Sequence, residues 1–419
     1  MKFLQIGICA LLVFGVAAHG GVEDWARAVL ESGAALLLIA WAVRVCARRE
    51  QQIILTPLLF PLLALILLAL FQWGFRQTAL AYATRTDLQL LLADTILVFL
   101  TAQAFRTVDD WKKFVWFAMF FNFAVCTFGI LQHLTFNGKI YWFREMRFGG
   151  IPFGPYVNRN HFAAFAELLI PVTLVPLLLG KVRRERLFIV GLFAVLQIGA
   201  LLLSASRGGI VSFAVELVVL AVWLVLRRPG RALLLGSAAI LLFVALLVSF
   251  LGVRQIVQRF SATSSSDATG GKRAAMRAGA LRIFYDHPIL GTGLGTLQTV
   301  FPPYDTLYDG KIVNHAHNDY LEALAETGAL GGLCCFWFLA VLALQAFPRI
   351  LPSNRSFSSI LQFSALLGCL GFLVHSTVDF NLHIPANAML FFVLAYLATT
   401  TIEPAAPTEV NLRSRRRNQ

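Results

Sequence analysis

Apolar residues run along this chain in long blocks, broken by short polar stretches. Windows such as 53–71, 187–204 and 208–226 hold Leu, Ile, Val, Phe and Ala almost without interruption. Each approaches the ~20 residues that carry a helix across a bilayer core. About twelve blocks of this kind are read: 3–18, 29–45, 53–71, 88–105, 114–134, 160–179, 187–204, 208–226, 232–252, 329–347, 358–378 and 386–401. Backbone polar groups find no water inside a bilayer, so a spanning block must bond them internally as a helix. A membrane barrel would show short segments alternating apolar and polar, and these are missing. The expected fold is all-α, a polytopic integral membrane protein. Block 3–18 has the length of a secretion signal, but no convincing cleavage site follows it and a second block does, so it is read as the first helix.

Composition agrees with the pattern. Of 419 residues, 58% are hydrophobic and only 14% charged, against ~25% charged in soluble domains. The net charge of +13 changes the picture only through its placement. The basic stretches 44–50, 106–113, 181–186, 227–231 and 348–355, with Lys2 and the tail 402–419, carry more than half of the 35 Lys and Arg. All fall on one side of the proposed spans. Excess Lys and Arg mark the cytoplasmic side, which puts both termini and the tail there. The basic runs are short and adjoin spans, so no nucleic-acid partner is expected, while membrane lipids are. The opposite, periplasmic side receives 135–159, a tight turn at Ser206 and Arg207, and one long loop, 253–328, in which 261–271 is rich in Ser and Gly. No internal repeat is seen, and 1–419 is read as a single membrane domain. The six cysteines lie in or beside apolar blocks without metal-ligand spacing and are read as packing residues.

The candidate chemistry lies on that second side. In 273-RAAMRAGALRIF-284, Met276, Ala280, Ile283 and Phe284 give one apolar helical face, and Arg273 and Arg277 stand four apart as neighbours. Two like charges at that spacing repel weakly, and an anion between them would reverse the sign; arginines facing headgroups are the plainer reading. Arg207, in 203-LSASRGG-209, has little loop to carry it into water, so it either snorkels or faces a polar cavity. The stretch 314-NHAHNDYLEALAETGALGG-332 places His315, His317 and Asn318 just before a helix start, where free N–H groups favour anions. Asp319 and Glu322 fit a capping box. A histidine with a reference pKa of ~6.5 can accept a proton at neutral pH. The H-x-H spacing suits a metal, but no third ligand is signalled nearby, and neither metal nor cofactor is expected. Arg159, Asn160 and His161 in 158-NRNHFA-163 form a further polar cluster at the outer end of the sixth block, readable as helix capping or as binding. The run 291-GTGLGT-296 lacks a preceding strand and the phosphate-loop lysine, so it is read as a turn of close backbone packing.

Taken in order, these residues resemble the O-antigen ligase and polymerase superfamily of bacterial envelope enzymes. The resemblance rests on the outer S-R-G-G turn, the R-x-x-x-L run from Arg277 to Leu281, and H-N-x(9)-G-x-x-x-G from His317 and Asn318 through Gly328 to Gly332. The phrases 286-DHPILGTGLG-295 and 159-RNHFA-163 are also similar. The resemblance implies a metal-independent inverting glycosyltransferase of the inner membrane with a periplasmic site. The implied donor is a glycan on undecaprenyl pyrophosphate, and the acceptor a hydroxyl of a lipid A-core sugar or another glycan. It further implies that Arg207 and Arg277 bind the pyrophosphate and that His317 activates the acceptor hydroxyl, with Arg273, Asn318, Asn160, Arg159 and His315 as substrate contacts. His315 beside His317 is a departure that leaves the base assignment open between them. Alternatives are a polysaccharide polymerase, a protein O-oligosaccharyltransferase and, from another class, a small-solute transporter. The transporter would need ionisable residues near the bilayer midplane, where Glu167 and Glu216 are the clearest.

Overall fold

A computed structural model describes residues 2–47, 52–145, 150–226, 267–351 and 356–402. The expected block 232–252, most of the Ser/Gly-rich run 261–271 and the tail from 403 lie outside the described residues. The fold is all-α. Eight described helices are long and apolar enough to cross a membrane, and three shorter apolar helices accompany them. In chain order they are α1 (Lys2–Ala17), α2 (Asp24–Ala47), α3 (Leu59–Gly74), α4 (Ala81–Ala104), α5 (Val108–Leu134), α6 (Arg159–Leu178), α7 (Leu187–Leu203) and α8 (Arg207–Leu226). Then come α9 (Asp267–Asp286), which is not a span, α10 (Asp319–Ile350), α11 (Phe357–His375) and α12 (Pro385–Thr399). Each expected block within the described residues has its helix. The boundaries move in instructive places. The third helix starts at Leu59: 52–56 is irregular, and Pro57 and Leu58 form a turn ahead of it. The tenth block extends back to Asp319.

Helices α6, α11 and α12 form the centre. Nearly every residue of α6 and all of α12 is buried. Pro171 and Pro176 sit inside α6; prolines are tolerated in packed membrane helices because neighbours re-satisfy the freed backbone groups. Outer helices show lipid-facing apolar side chains, such as Phe188 at 82% and Phe336 at 70% exposure. That is the inside-out economy of a protein whose solvent is hydrocarbon.

The two ends of the bundle differ. One end gathers the basic loops: Gln5 donates to Ala104 O and to Asp110, and Arg106 reaches Gln52 O. Ser359 at the same end donates to Arg349 O. The other end gathers the 17–24 turn, segments 135–145 and 150–158, the 286–318 segment and the 376–384 segment. Tyr141 donates to Ala17 O, Ala386 N to Gly20 O, Tyr156 to Asn387, and Asn387 to His161 O. All the candidate chemistry stands at this second end.

The glycine-rich turn is packed as its sequence suggests. Thr292 N donates to Ala325 O, Gly293 N to Glu326 O and Ala329 N to Pro288 O. The Glu326 carboxylate accepts from Gly295 N at 2.8 Å and Leu297 N at 2.9 Å. Gln72 of α3 donates to Leu290 O and Glu326 O and accepts from Leu294 N. This approach is close enough that α10 breaks at Gly328, whose φ of 62° is left-handed. A Cβ there would fall 2.3 Å from Ile289 O. The break divides α10 into a short outer piece, starting at Asp319, and the long apolar span.

Candidate active site

Asn318 is the N-cap of α10. Its Oδ1 accepts from Leu321 N at 2.9 Å, while its Nδ2 donates to Thr377 O at 2.8 Å. This corrects the capping box expected at Asp319 and Glu322. Helical geometry begins at Asp319 itself, so the cap falls one residue earlier, and both carboxylates are turned to other work. Asp319 accepts from Leu382 N and from His383 Nδ1. Glu322 accepts from Ala316 N at 2.8 Å and pairs with His315 Nδ1 at 2.7 Å.

His317 precedes the cap with a left-handed φ of 51°. For a residue with a Cβ this is uncommon, and it turns the ring back toward the 376–384 segment. There Nδ1 lies 3.1 Å from Asp379 Oδ1. Asp379 is 1% exposed and His317 20%, so the carboxylate is sealed while the imidazole keeps an open edge. Asn160 fixes the carboxylate from the other side, donating to Oδ2 at 2.6 Å, and Phe380 N donates to Oδ1. An ionised carboxylate only accepts, so Nδ1 is the nitrogen that donates across this contact. Burial pushes Asp379 upward, but the hydrogen bond from His317 and the charges of His161, His317 and His375 outweigh it and hold the carboxyl well below its ordinary value. Its partners favour the anion.

Phe380 stands among the histidines. His315 stacks on it at 4.0 Å between centroids, and His317 and His161 meet it edge to face at 5.0 Å and 4.7 Å. His383 completes the group, with Nε2 3.4 Å from Glu322. Burial would lower the His383 pKa, but Glu322, Asp319 and Glu326 raise it well above its ordinary value.

A cavity of about 1980 Å³ opens beside these groups. Its wall changes character along its length. At the outer end it takes in Arg144, Arg273, His315 and His317; toward the bundle it passes Leu62, Leu91, Phe338 and Leu339 of α3, α4 and α10. Pockets for small ligands run to ~300–1,000 Å³, so this one suits a large amphiphile.

The other candidates are placed as follows. Arg277 is half-buried on α9, one turn from Arg273, and Lys272 beside them pairs with Asp309. Arg207 opens α8 and is exposed; the next residue, Gly208, lies against the His375 ring, where a Cβ would come 2.5 Å from Nε2. The start of α8 therefore abuts the segment that carries Asp379. Arg207 and Arg277 stand outside the cavity wall proper, whereas Arg273 is part of it. Arg159 opens α6, its N–H donating to Ile151 O. Deeper in the bundle, Glu167 and His375 pair at 3.0 Å in full burial, so one of the two buried carboxylates, Glu167, has a partner. The six cysteines are free.

Asp379 and His383 were missed in the sequence. Their signal was the polar run 375-HSTVDFNLHIP-385, which stands between two spans at the same end as His317.

Residues 192–336 match the O-antigen ligase family. The matched segment contains Arg207, Arg273, Arg277, His315, His317 and Asn318, and leaves Arg159, Asn160 and Asp379 outside it. A comparison with curated proteins gives no match.

Proposed function

We propose that this membrane protein, of O-antigen ligase or polymerase type by its matched segment and its helical architecture, moves a glycan from a polyprenyl-pyrophosphate carrier to an acceptor hydroxyl. The observation that carries this reading is the His317–Asp379 pair beside a cavity that runs from charged residues into apolar helix faces. A lipid-linked, doubly anionic donor has that same division, with its polyprenyl chain among Leu62, Leu91 and Leu339 and its phosphates at the basic end.

In the step proposed, the acceptor oxygen attacks the anomeric carbon. The carbon–oxygen bond to the pyrophosphate breaks, and the hydroxyl proton passes to Nε2 of His317. One displacement inverts the anomeric centre. Asp379 stabilises the imidazolium and holds the ring in its tautomer, the part an orienting carboxylate plays for a histidine base. Arg207 and Arg277 meet the charge developing on the leaving pyrophosphate, which bidentate guanidinium groups suit. Arg273 meets the bound donor from the wall, and Asn160 acts through Asp379. Asn318, Arg159 and His315 complete the surroundings of the acceptor. The basic loops at the opposite end support a site on the periplasmic face of the inner membrane.

The test is transfer by purified protein in detergent, given a lipid-linked donor and either a lipid A-core acceptor or a second lipid-linked glycan. His317→Ala should abolish most transfer while donor binding persists. Product on lipid A-core identifies a ligase, and an elongated lipid-linked chain identifies a polymerase. Wild-type rates from His317→Ala at equal abundance would sink the assignment.

A further inference from the structure

Two separate segments and one helix start converge on Glu322. His315 Nδ1 stands 2.7 Å from Glu322 Oε1, and His383 Nε2 stands 3.4 Å from the same oxygen. The three donor atoms all lie within 4.8 Å of one another. For bonds of ~2.0–2.2 Å, donors around a tetrahedral ion stand roughly 3.3–3.6 Å apart; the His383 separation already matches, and the shorter His315 one opens by less than about 1 Å to admit the ion.

The surroundings hold each donor in place. Glu322 is 2% exposed and its second oxygen is engaged by Ala316 N–H. His383 gives Nδ1 to Asp319 Oδ1 at 2.9 Å, leaving Nε2 toward the cluster; a carboxylate behind an imidazole is the support that orients histidine ligands. His315 is clamped against Phe380. All three residues line the cavity, which gives an ion a way in.

We propose that His315, Glu322 and His383 form a binding site for one divalent transition-metal ion, with zinc as the reference ion. Two imidazoles and one carboxylate are a zinc donor set, and they disfavour magnesium and calcium, which prefer all-oxygen shells. Ligands must be deprotonated, so any proton on His315 Nδ1 or His383 Nε2 passes to solvent as the ion binds. Three protein donors leave a fourth position toward the cavity for water or an anionic oxygen. The ion would staple the segment before α10 to the segment after α11, beside His317. This inference goes beyond the transfer reading and does not depend on it.

The experiment uses the full chain without a histidine tag, purified in detergent, stripped with a chelator and titrated with Zn²⁺ against a chromophoric competitor. One zinc per chain is expected, unaffected by excess Mg²⁺, and X-ray absorption at the zinc edge should show imidazole ligation. His315→Ala/His383→Ala should lose the site. Asp319→Asn should weaken it by roughly 10–100-fold, the cost of losing a supporting carboxylate. Cys334→Ser/Cys335→Ser should keep it. If the double histidine variant does not fold, by its elution and melting, His383→Gln replaces it, because Gln can still donate to Asp319. Undiminished zinc affinity in the folded histidine variant, or loss of the site in the cysteine variant, overturns the proposal, as does a wild type that takes up no zinc.

Discussion

His317 and Asp379 face each other, Nδ1 to Oδ1 at 3.1 Å, across 62 positions of sequence. If they act as one unit, their substitutions should not add. His317→Ala should lower the transfer rate by ~10²–10⁴-fold, the usual worth of a positioned base. Asp379→Asn keeps the shape but removes the charge behind Nδ1, and should lose at least ~10²-fold by the same logic. The double variant should be no slower than His317→Ala alone. Initial rates for the three variants at equal abundance decide it; multiplicative losses would mean the two residues act separately.

The arginines separate by role. Arg273, on the cavity wall, should affect donor binding: Arg273→Ala should raise KM for the donor with little change in kcat. Arg277→Ala and Arg207→Ala should depress kcat, each losing a charged hydrogen bond worth ~1.5–3 kcal/mol. Lysine should rescue neither, because an ammonium cannot reproduce a planar fork. Steady-state kinetics with varied donor check the split. An Arg277→Lys enzyme at wild-type kcat would remove Arg277 from the leaving-group site.

Topology is a further prediction. A reporter fused after Arg186 should read cytoplasmic, and one inserted at 305–310 should read periplasmic. Opposite readings would place the site on the wrong face for the proposed donor.

A pH effect is expected at His19. It is buried in the turn after α1, with Nδ1 donating to Pro155 O at 2.9 Å. Burial lowers its pKa, the bond to Pro155 opposes this, and Arg144 lowers it further, leaving it below the ordinary value. The unfolded chain therefore binds a proton that the folded one resists, and stability rises with pH in this window. His19 contributes fully above the unfolded value of ~6.5, and the contribution fades as pH falls below it. His19→Gln, which can still donate to Pro155 O, should flatten the melting temperature between about pH 7 and pH 5 relative to wild type. Parallel curves for the two proteins would refute this.

Much of the fold was legible because lipid leaves the chain few choices. A charge-free block of span length must be a helix, and each expected block within the described residues is one. The sites of backbone contact were also legible, since the glycines of 291–295 mark where chains approach. The pairing of His317 with Asp379 was not, because hydrogen-bond geometry across two loops leaves no periodic trace. The capping error at Asp319 has a local cause. Asn and Asp are both good N-caps and stand side by side here, so only the backbone conformation distinguishes them.

The clasp between 288–297 and 325–330 has a consequence for how this protein tolerates change. Its bonds run mainly between main-chain atoms, which every residue type supplies. Ile289, 65% exposed, and Leu290 can therefore be replaced freely, provided proline is avoided. Gly291 and Gly328 cannot. Each has a left-handed φ, and a Cβ on either would strike opposing backbone within 2.5 Å. A saturation scan of this stretch should give a barcode of permissive positions interrupted by absolute ones. The absolute ones should be set by missing atoms, whatever the chemistry of the side chain offered.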